Sequence, residues 1–529
     1  MLDTPRSRFL AWALLFVLVA CALIASQIGP ILTVNHEVGD FAANSLLIQD
    51  AKRLHLAVGN YSRVGFNHPG PAILYVLAFG ELVLHDWLHL VPSPLSGQVV
   101  AGCVYNAAWI VLIVALVRRS GAALVPALLF AAVAVLMIAR SDHAIVNGIW
   151  FPHLYVLPYA AMLVAIARLV HGHADSLKAL AVASGFLING HVSFVPMLGV
   201  MLIVVLAVNL LASRDDRATR VLSIGWLRAN RRALLAAVGI LFLFFVPLIV
   251  ATLRHWPGPV ADYLRFGHDN KGNTLEQTVR YVSAYWGAGP SVACGLALLV
   301  LLLVDGGGAK GQGVGRTARA LGAAFVAATV AVLFYVKVGV DNLDYNYIAL
   351  FYYAVPALAC ALLALIVFQA GGAGVVKTTV AAVLTLWALG GIWHQAKQDP
   401  MYTVFYNRPD IPALYDSLRA LPGSGRIVLD LEQKDETWGE IWGHVLGLQA
   451  YAKRRHVDLV CVNAHWHISF THAGRCTPEE VAHNRRYDVH QAGPRDPVPG
   501  KPDVEAAHLA LHRTLSRAAP APIATAGGQ

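Results

Sequence analysis

Charged residues are scarce in this sequence, and long apolar runs take their place. Only 13% of its 529 residues are charged, whereas an ordinary soluble protein has about 25%. Hydrophobic residues make up 57% of the chain, and apolar runs of about 17–25 residues recur along it. Because a helix of about 20 residues crosses the hydrocarbon core of a bilayer, the sequence excludes a soluble globular protein and predicts an all-α polytopic membrane protein.

The sequence also lacks the usual motifs for nucleotides and structural metals. The glycine-rich run "DGGGAKGQGVG" at 305–315 has no Gly-Lys-Ser/Thr and follows no strand, so it is not a P-loop. We therefore expect no nucleotide cofactor. No Cys-x-x-Cys or Cys/His zinc spacing is present either. We assign no metal ligand, and a divalent metal ion stays an open alternative as cofactor.

Basic residues in short loops orient the chain in the membrane. The net charge is +9, and we attribute it to cytoplasmic loops, which are rich in Lys and Arg, and not to nucleic-acid binding. The segment 69–90 is set aside as interfacial or re-entrant, because charged and His residues interrupt it. The predicted spans are 9–34 (a retained helix), 97–117, 121–139, 153–170, 176–190, 193–213, 233–253, 288–304, 320–339, 347–368 and 376–393. About 11–12 transmembrane helices are expected, with a cytoplasmic N-terminus.

The chemically varied segments then fall on the outer, periplasmic face, and the chain ends there in a polar tail. Within the tail, 425–431 and 457–464 have the composition of strands, and 436–455 has helical spacing. We predict a membrane domain over 1–393, a small C-terminal α/β periplasmic domain over 394–490 and a disordered tail over 491–529. Cys461 and Cys476 either form a disulfide in an oxidising compartment or remain free thiols.

The first outer loop carries two acidic residues just past a membrane helix. Glu37 and Asp40 precede residues 41–57, whose apolar positions are spaced for an interfacial amphipathic helix. Three interpretations stay open for such a carboxylate. It is a hydrated loop residue, a cap at the start of the helix, or a general base for a hydroxyl group.

The stretch "YSRVGFNHPGP" at 61–71 follows in the same loop. Tyr61, Arg63, Asn67 and His68 offer hydrogen-bond donors beside prolines that fix the entry to the next segment. A guanidinium group matches two phosphate oxygens at once, so this cluster suits an anionic lipid phosphate at the membrane interface. The alternative is a snorkelling Arg and an aromatic belt residue, both common at membrane edges.

Further polar side chains belong to other segments of the same face. Residues 254–273 and 341–347 contribute Arg, His, Asp and Tyr side chains. The candidates for substrate binding are Arg140, Asp142, His143 and His153, together with His191 at a tight turn. A lone His at a membrane edge is usually structural, whereas His and Asp groups from several segments on one face indicate a shared site.

Taken together, these motifs resemble a known superfamily over residues 9–300. "GDFAANSLLIQDAKRL", "YSRVGFNHPGPAILYVLA", "WFPHLYVLPY", "NGHVSFVP" and "HWPGPVADYL" are similar to the C-type glycosyltransferases that use polyprenyl-phosphate sugars. Within that superfamily they resemble bacterial integral membrane proteins of the dolichyl-phosphate-mannose-protein mannosyltransferase-like and arabinosyltransferase-like group. The resemblance implies a glycosyltransferase in the bacterial inner membrane.

The resemblance also implies roles for individual residues. Asp40 is in the position of the first-loop carboxylate that deprotonates the acceptor hydroxyl, and Arg63 and His68 are where the family contacts the lipid phosphate. Many relatives have a second adjacent acid, but Phe41 follows Asp40 here, so that Glu37 or Asp50 is the nearest second carboxylate. The implied partners are a polyprenyl-phosphate sugar donor, membrane lipid, and an envelope glycan, lipid or protein acceptor.

Two other functions are compatible with the sequence. A lipid or glycan transporter or flippase predicts ionisable residues near helix midpoints and repeated broken helices, and the spans after 193 show neither. A non-catalytic member of the superfamily is the second alternative, because the paired acid is missing. The enzyme hypothesis predicts that Asp40, Arg63, His68 and His191 line one cavity that is open toward lipid.

Overall fold

The computed structural model describes residues 5–213, 219–287, 312–369, 374–398, 403–431, 438–463, 474–493 and 500–514, together with residues 289 and 291. Helices predominate among them. They are α1 Pro5–Ser26, α2 Ile28–Leu32, α3 Gly39–Lys52, α4 Ala72–Gly80, α5 Pro94–Arg119, α6 Leu124–Ser141, α7 Phe151–Leu154, α8 Val156–Val170, α9 Leu177–Gly190, α10 Phe194–Ala212, α11 Ile224–Ala229, α12 Arg231–Arg254, α13 Gly258–Asp269, α14 Leu275–Ser283, α15 Gln312–Gly339, α16 Ala354–Gln369, α17 Val375–Ala396, α18 Asp410–Arg419, α19 Trp438–Arg454 and α20 Pro478–His483. Short 3₁₀ turns are His143–Val146, Ala174–Ser176, Asn346–Tyr353 and Thr403–Phe405.

Nine helical stretches of the described residues are long and apolar enough to cross a membrane. They are Arg6–Ser26, Pro94–Arg119, Leu124–Ser141, Phe151–Val170, Phe194–Leu211, Arg231–Arg254, Ala318–Gly339, Asn346–Phe368 and Val375–Ala396. The chain is therefore a multi-pass helical membrane protein, which confirms the predicted fold class. Helix α9, in the predicted span 176–190, has 14 residues, which is short for a core about 30 Å thick. The predicted span 288–304 lies outside the described residues, apart from 289 and 291.

The segment 69–90 is not among these nine stretches. It forms the 9 residues of α4 and then a π-helical turn of 7 residues, Glu81–Trp87. Glu81 in that turn is fully buried, but its carboxylate accepts hydrogen bonds from Lys52 Nζ at 2.7 Å and from Gln98 Nε2 at 2.8 Å. A buried carboxylate with a cation and an amide donor is stabilised, so the interrupting charge is neutralised by the first outer loop.

The membrane core is built around α8, which is buried along its whole length. It packs against α5, α9 and α15. Helices α1, α12 and α17 surround this core and expose large apolar side chains, such as Phe9, Leu253 and Trp387. Exposed apolar side chains on membrane-spanning helices face hydrocarbon, so these helices form the lipid-facing surface.

The C-terminal part forms a small α/β domain, as predicted. Its strands are β1 Ile427–Leu431, β2 Val460–Asn463, β3 Arg486–Gln491, β4 Val504–Ala506 and β5 Leu509–Arg513. They form one sheet in the order β2-β1-β3-β5-β4, with β1 parallel to β2 and β3, and β5 antiparallel to β3 and β4. Cys461 and Cys476 are joined by a disulfide, which settles the alternative left open by the sequence.

The predicted disordered tail over 491–529 is wrong for residues 500–514. Strand β5 pairs with β3 from Tyr487 to Gln491, and β4 pairs with β5. The backbone hydrogen bonds to β3 order a Pro- and Ala-rich stretch whose composition alone predicts no structure. Residues 494–499 and 515–529 lie outside the described part of the chain.

Helix α3 lies between the membrane domain and the C-terminal domain. Val38, Ala42 and Ala43 belong to the apolar core of the C-terminal domain, whereas Phe41 and Ile48 belong to the core of the membrane domain. The helix is thus buried from both sides. The sequence predicted an interfacial helix here. In the structure, one face of α3 packs on the membrane domain, and the C-terminal domain covers the face that would otherwise contact water.

A cluster of buried charges fixes this arrangement. Arg454, at the end of α19, forms an ion pair with Glu37, lies 3.7 Å from Glu81 and donates a hydrogen bond to Ser45 Oγ at 3.0 Å. Burial alone would lower the pKa of Arg454, but the charges of Glu37 and Glu81 outweigh it and raise that pKa above its ordinary value. Arg454 therefore stays charged and ties the C-terminal domain to the first outer loop.

Candidate functional site

Asp40 lies in the first turn of α3, where backbone geometry and hydrogen bonds fix its position. Gly39 begins the helix with φ of +57°, a conformation that glycine adopts without strain. Tyr61 donates its hydroxyl hydrogen to Oδ1 of Asp40, and Trp150 donates from Nε1 to Oδ2 at 2.8 Å. Of the three interpretations left open for this carboxylate, capping does not apply, because Val38 occupies the N-cap position and no side chain caps the helix.

Tyr61 is a permanent hydrogen-bond donor to Asp40. Burial, followed by the negative charge of Asp40, raises the pKa of the Tyr61 phenol well above its ordinary value. The phenol therefore stays protonated at neutral pH. Each carboxylate oxygen has two acceptor positions, so Asp40 accepts from Tyr61 and Trp150 and still has room for the hydroxyl hydrogen of a substrate.

The stretch 61–67 forms a tight turn that projects Arg63. Ser62 N donates to Phe66 O at 2.7 Å, and Gly65 has φ of +98°. Nη2 of Arg63 donates to Asp341, and the guanidinium lies over the ring of Tyr345, 4.8 Å from its centroid. Nη1 and Nε have no hydrogen-bond partner among the described residues, so part of the planar donor fork is available for an anion.

His68 and His191 stack against each other, with ring centroids 4.3 Å apart. The loop carrying His68 is held against the turn after α9, because Gly70 N donates to Asn189 O at 3.1 Å. Val192 N donates to Nδ1 of His68 at 3.4 Å, and Ser193 N donates to Nδ1 of His191 at 3.3 Å. A backbone N–H directed at Nδ1 favours the neutral tautomer with its proton on Nε2. Nδ1 of His191 also lies 2.7 Å from Ser193 Oγ, and in this tautomer the hydroxyl donates to it.

Both imidazoles are neutral near pH 7. Burial, followed by the charge of His191, lowers the pKa of His68 well below its ordinary value. Burial also lowers the pKa of His191 to about 4. From the sequence, Arg63 and His68 were both placed at the lipid phosphate. Of the two, Arg63 supplies the positive charge, because a buried, stacked imidazole pair resists protonation.

A cavity of about 900 Å³ joins these groups. Its polar end contains Asp40, Tyr61, Arg63, His68 and His191. A second, apolar arm extends between α10, α12, α13 and α15, and is lined by Val195, Leu248, Val260, Leu264, Phe334 and Val338. Of these, Val195, Val260, Leu264, Phe334 and Val338 are between 39% and 72% exposed, so the apolar arm opens onto the lipid-facing surface.

Not all of the predicted site residues line this cavity. Glu37 is buried against Arg454, so its assignment as a catalytic carboxylate is corrected to a structural ion pair. Asn67 is structural as well, since its Nδ2 donates to Gly59 O at 3.0 Å. The other acidic candidate of the first loop, Asp50, pairs with Lys453 at 2.9 Å.

The 140–153 segment contacts the site through Trp150, which donates a hydrogen bond to Asp40. Arg140 is exposed, and it and His143 lie outside the cavity lining. Asp142 Oδ2 accepts from His153 Nε2 at 2.9 Å, and the His153 ring packs against Trp150, with centroids 5.2 Å apart. All four residues were predicted to bind substrate, but none of them lines the cavity. His153 instead packs against Trp150, which donates to Asp40, and Asp142 holds His153 in place.

Asn44, Asn60 and Trp442 also line the cavity, and they were not selected from the sequence. Trp150 lines it as well, together with Asp341, Tyr345 and Tyr347 of the segment 341–347, which the sequence placed on the same face. Asn44 follows Asp40 by one helical turn, so helical spacing alone places the two on one face. Trp442 belongs to the C-terminal domain, and no local pattern in the sequence brings it to the first outer loop. Among the described residues, no group of three or more His, Cys, Asp or Glu side chains is arranged to hold a metal ion.

Comparison with known proteins identifies the fold. No protein-family model matches the chain, and no curated protein sequence matches it. The crystal structure of ArnT from Cupriavidus metallidurans in the apo state is similar, with a TM-score of 0.57 and 13% identity over 96% of this chain and 98% of that chain. ArnT from the same organism bound to undecaprenyl phosphate gives a TM-score of 0.55 and 13% identity over 91% of this chain and 93% of that chain.

A third similar structure is the apo oligosaccharyltransferase of Archaeoglobus fulgidus, with a TM-score of 0.45 and 13% identity. It covers 91% of this chain and 69% of that chain, and at this TM-score we base no argument on it. The similarity to ArnT over nearly the whole of both chains shows that this chain has the same fold as ArnT.

The histidine pair predicts a pH-dependent stability. Because the folded-state pKa of His191 is about 4 and its ordinary value is 6.5, the unfolded chain binds more protons in this range. The stabilisation is complete above pH 6.5 and is lost as the pH falls toward 4. We expect His191→Gln to lose less thermal stability than the wild-type protein between pH 7 and pH 5, measured as the unfolding midpoint in detergent. His55→Gln, at an exposed position, is the control and should follow the wild type.

Proposed function

We propose that this protein transfers a sugar from a polyprenyl-phosphate donor to a hydroxyl acceptor. The support for this proposal is one observation: a single cavity combines a carboxylate held by two donors with a cationic and imidazole group, and continues into an apolar arm open to lipid. A polyprenyl-phosphate sugar has the same two parts: a polar phosphosugar that suits the polar end of the cavity and an isoprenoid chain that suits the apolar arm. ArnT, whose fold this chain shares, has been crystallised with undecaprenyl phosphate.

The apolar arm suits the isoprenoid chain. Its lining comes from four helices, α10, α12, α13 and α15, and contains aliphatic and aromatic side chains. When an apolar ligand covers exposed apolar surface in a groove, the free energy gained is about 25 cal/mol for each Å² of apolar surface removed from water. A lipid reaches this arm sideways from the bilayer, without passing through bulk water.

The phosphate of the donor would lie where the two arms of the cavity meet. Arg63 offers two guanidinium nitrogens that have no partner among the described residues, and His68 and His191 offer neutral Nε2–H groups. Donors held in place before the reaction stabilise charge that develops on a leaving group. The ion pair of Arg63 with Asp341 keeps the guanidinium at the mouth of the polar end.

Asp40 would act as the general base. The acceptor oxygen forms a bond to the anomeric carbon while the bond from that carbon to the phosphate oxygen breaks. The electron pair leaves with the polyprenyl phosphate, and the hydroxyl proton passes to Asp40. A single displacement of this kind inverts the anomeric configuration. Tyr61 and Trp150 orient the carboxylate for this step.

The periplasmic face of a bacterial inner membrane is the proposed location. The cavity lies beside the C-terminal domain, which contributes Trp442 to it. That domain contains the Cys461–Cys476 disulfide, and disulfides persist in oxidising compartments such as the periplasm. The acceptor would then be an envelope glycan, lipid or protein.

Binding of undecaprenyl phosphate tests the donor side of the proposal. We expect this lipid to raise the unfolding midpoint of the purified protein, because a ligand at 100 times its Kd stabilises by about 2.7 kcal/mol. Arg63→Ala should weaken the binding by about tenfold or more, since a charge-assisted contact to phosphate is lost. The matched control is Arg140→Ala, an exposed arginine outside the cavity. Equal binding by all three proteins, or none by the wild type, contradicts the proposal.

A further inference from the structure

Two polar groups near Asp40 have no hydrogen-bond partner among the described residues and no part in the proposed transfer. Asn44 is 6% exposed, and its Oδ1 accepts no hydrogen bond from the described residues. Nε1 of Trp442 is likewise buried and donates to none of them. Both residues line the cavity. An unsatisfied buried polar group costs about 1–3 kcal/mol, so each position calls for a partner that the described chain does not supply.

The two groups come from two helices that pack against each other, α3 and α19, and both line the cavity. Asn44 is on α3, four residues after Asp40, and residues with this spacing share a helix face. Trp442 comes from α19 of the C-terminal domain, and its ring meets that of Tyr61 edge to face, with centroids 6.0 Å apart. The C-terminal domain therefore completes the wall around Asp40.

The surrounding groups favour a neutral, hydroxyl-rich ligand. Among the described residues that line the cavity, the charged groups other than Asp40 are Arg63 and Asp341, and these two form an ion pair. The remaining lining is aromatic or amide-bearing, and comprises Asn44, Asn60, Tyr61, Trp150, Tyr345, Tyr347 and Trp442. A pyranose ring places its C–H face on an aromatic ring and its hydroxyls on amides, and each hydroxyl both donates and accepts.

We propose that the acceptor is a saccharide that binds between Trp442 and Asn44. One sugar hydroxyl donates to Oδ1 of Asn44, another accepts from Nε1 of Trp442, and the attacking hydroxyl meets Asp40. The terminal χ2 torsions of Asn and Trp are broad, so small rotations present both atoms to the ligand. This inference rests on the proposed glycosyl transfer and narrows its acceptor from glycan, lipid or protein to a glycan.

Direct binding tests the inference. The full-length protein in lipid nanodiscs is applied to an array of neutral di- and trisaccharides of common hexoses and pentoses, with a capped threonine pentapeptide as the alternative acceptor. We expect selected saccharides to bind, and Trp442→Ala to weaken that binding by about tenfold, as truncation of an aromatic anchor does. Trp442→Phe keeps the stacking surface, should be intermediate, and covers the case in which Trp442→Ala fails to fold.

Further variants define the outcome. Asn44→Ala should weaken saccharide binding severalfold, whereas Trp87→Ala, an exposed tryptophan outside the cavity, should leave it unchanged. Binding of the pentapeptide alone, of no saccharide, or of saccharides with equal affinity in Trp442→Ala overturns the inference. Undecaprenyl phosphate is applied to the unaltered protein in parallel. If that lipid stabilises the protein while no saccharide binds, only the acceptor inference fails; if the lipid does not stabilise it, the proposed function fails.

Discussion

Asp40→Asn is expected to lower the rate of sugar transfer by about 10²–10⁴-fold, the usual contribution of a general base. The amide has the volume of the carboxylate and keeps an oxygen that accepts from Tyr61. It carries no negative charge and takes up no proton from an acceptor hydroxyl. The rate is measured with the reconstituted protein and a polyprenyl-phosphate sugar, and the glycan products of complemented deletion strains are compared by mass spectrometry.

The matched control for this variant is Asp344→Asn. Asp344 is an exposed carboxylate in the loop that also carries Asp341, and it lies outside the cavity lining. It should transfer at the wild-type rate. The amount of each variant in the membrane is measured by immunoblotting, because Asp40→Asn should insert normally. Full transfer activity in Asp40→Asn would exclude Asp40 as the base.

Arg454→Met should destabilise the protein by about 3–5 kcal/mol, the cost of removing one partner from a buried ion pair. Glu37 is 2% exposed, and Arg454 is its ion-pair partner. Methionine fills the space but leaves that carboxylate without its cation. We expect a lower unfolding midpoint in detergent, together with faster proteolysis between the membrane domain and the C-terminal domain.

Arg455→Met, at the next position, is the control for this charge effect. Arg455 is exposed and lies over the Tyr451 ring, 3.4 Å from its centroid. Exposed contacts of this kind contribute about 0.5–1 kcal/mol, so this variant should lose much less. The double variant Arg454→Met with Glu37→Gln should regain part of the loss, because no buried charge is left unpaired. An unchanged midpoint in Arg454→Met would contradict the structural role given to this cluster.

Local patterns in the sequence predicted three elements of the C-terminal domain. The predicted segments 425–431, 436–455 and 457–464 became β1, α19 and β2 with small shifts at their ends. Periodicity determines such elements because each depends on neighbours a few residues away. The strands β3, β4 and β5 were missed. β4 has only three residues, and the three strands are ordered by pairing with distant parts of the chain, β3 with β1 and β5, and β4 with β5.

The candidate site was partly predictable for the same physical reason. Asp40, Tyr61, Arg63 and His68 lie in one outer loop, and the structure places all four in one cavity with His191. Partners far away along the chain were not predictable. Glu37 was predicted to be a second catalytic acid, but the structure pairs it with Arg454. The two residues are far apart along the chain, so no local pattern predicts that ion pair. The contribution of Trp442 depends on how the C-terminal domain packs on α3, which only the folded chain shows.

A cryo-EM structure with undecaprenyl phosphate would show directly whether the cavity binds the lipid donor. We predict that the phosphate lies within hydrogen-bond distance of Arg63 and of His68 or His191, with the isoprenoid chain along Val195, Leu264 and Phe334. The carboxylate of Asp40 should then face the phosphate across the space left for the sugar. A lipid bound elsewhere on the membrane domain, with the cavity empty or filled by the protein itself, would contradict the account.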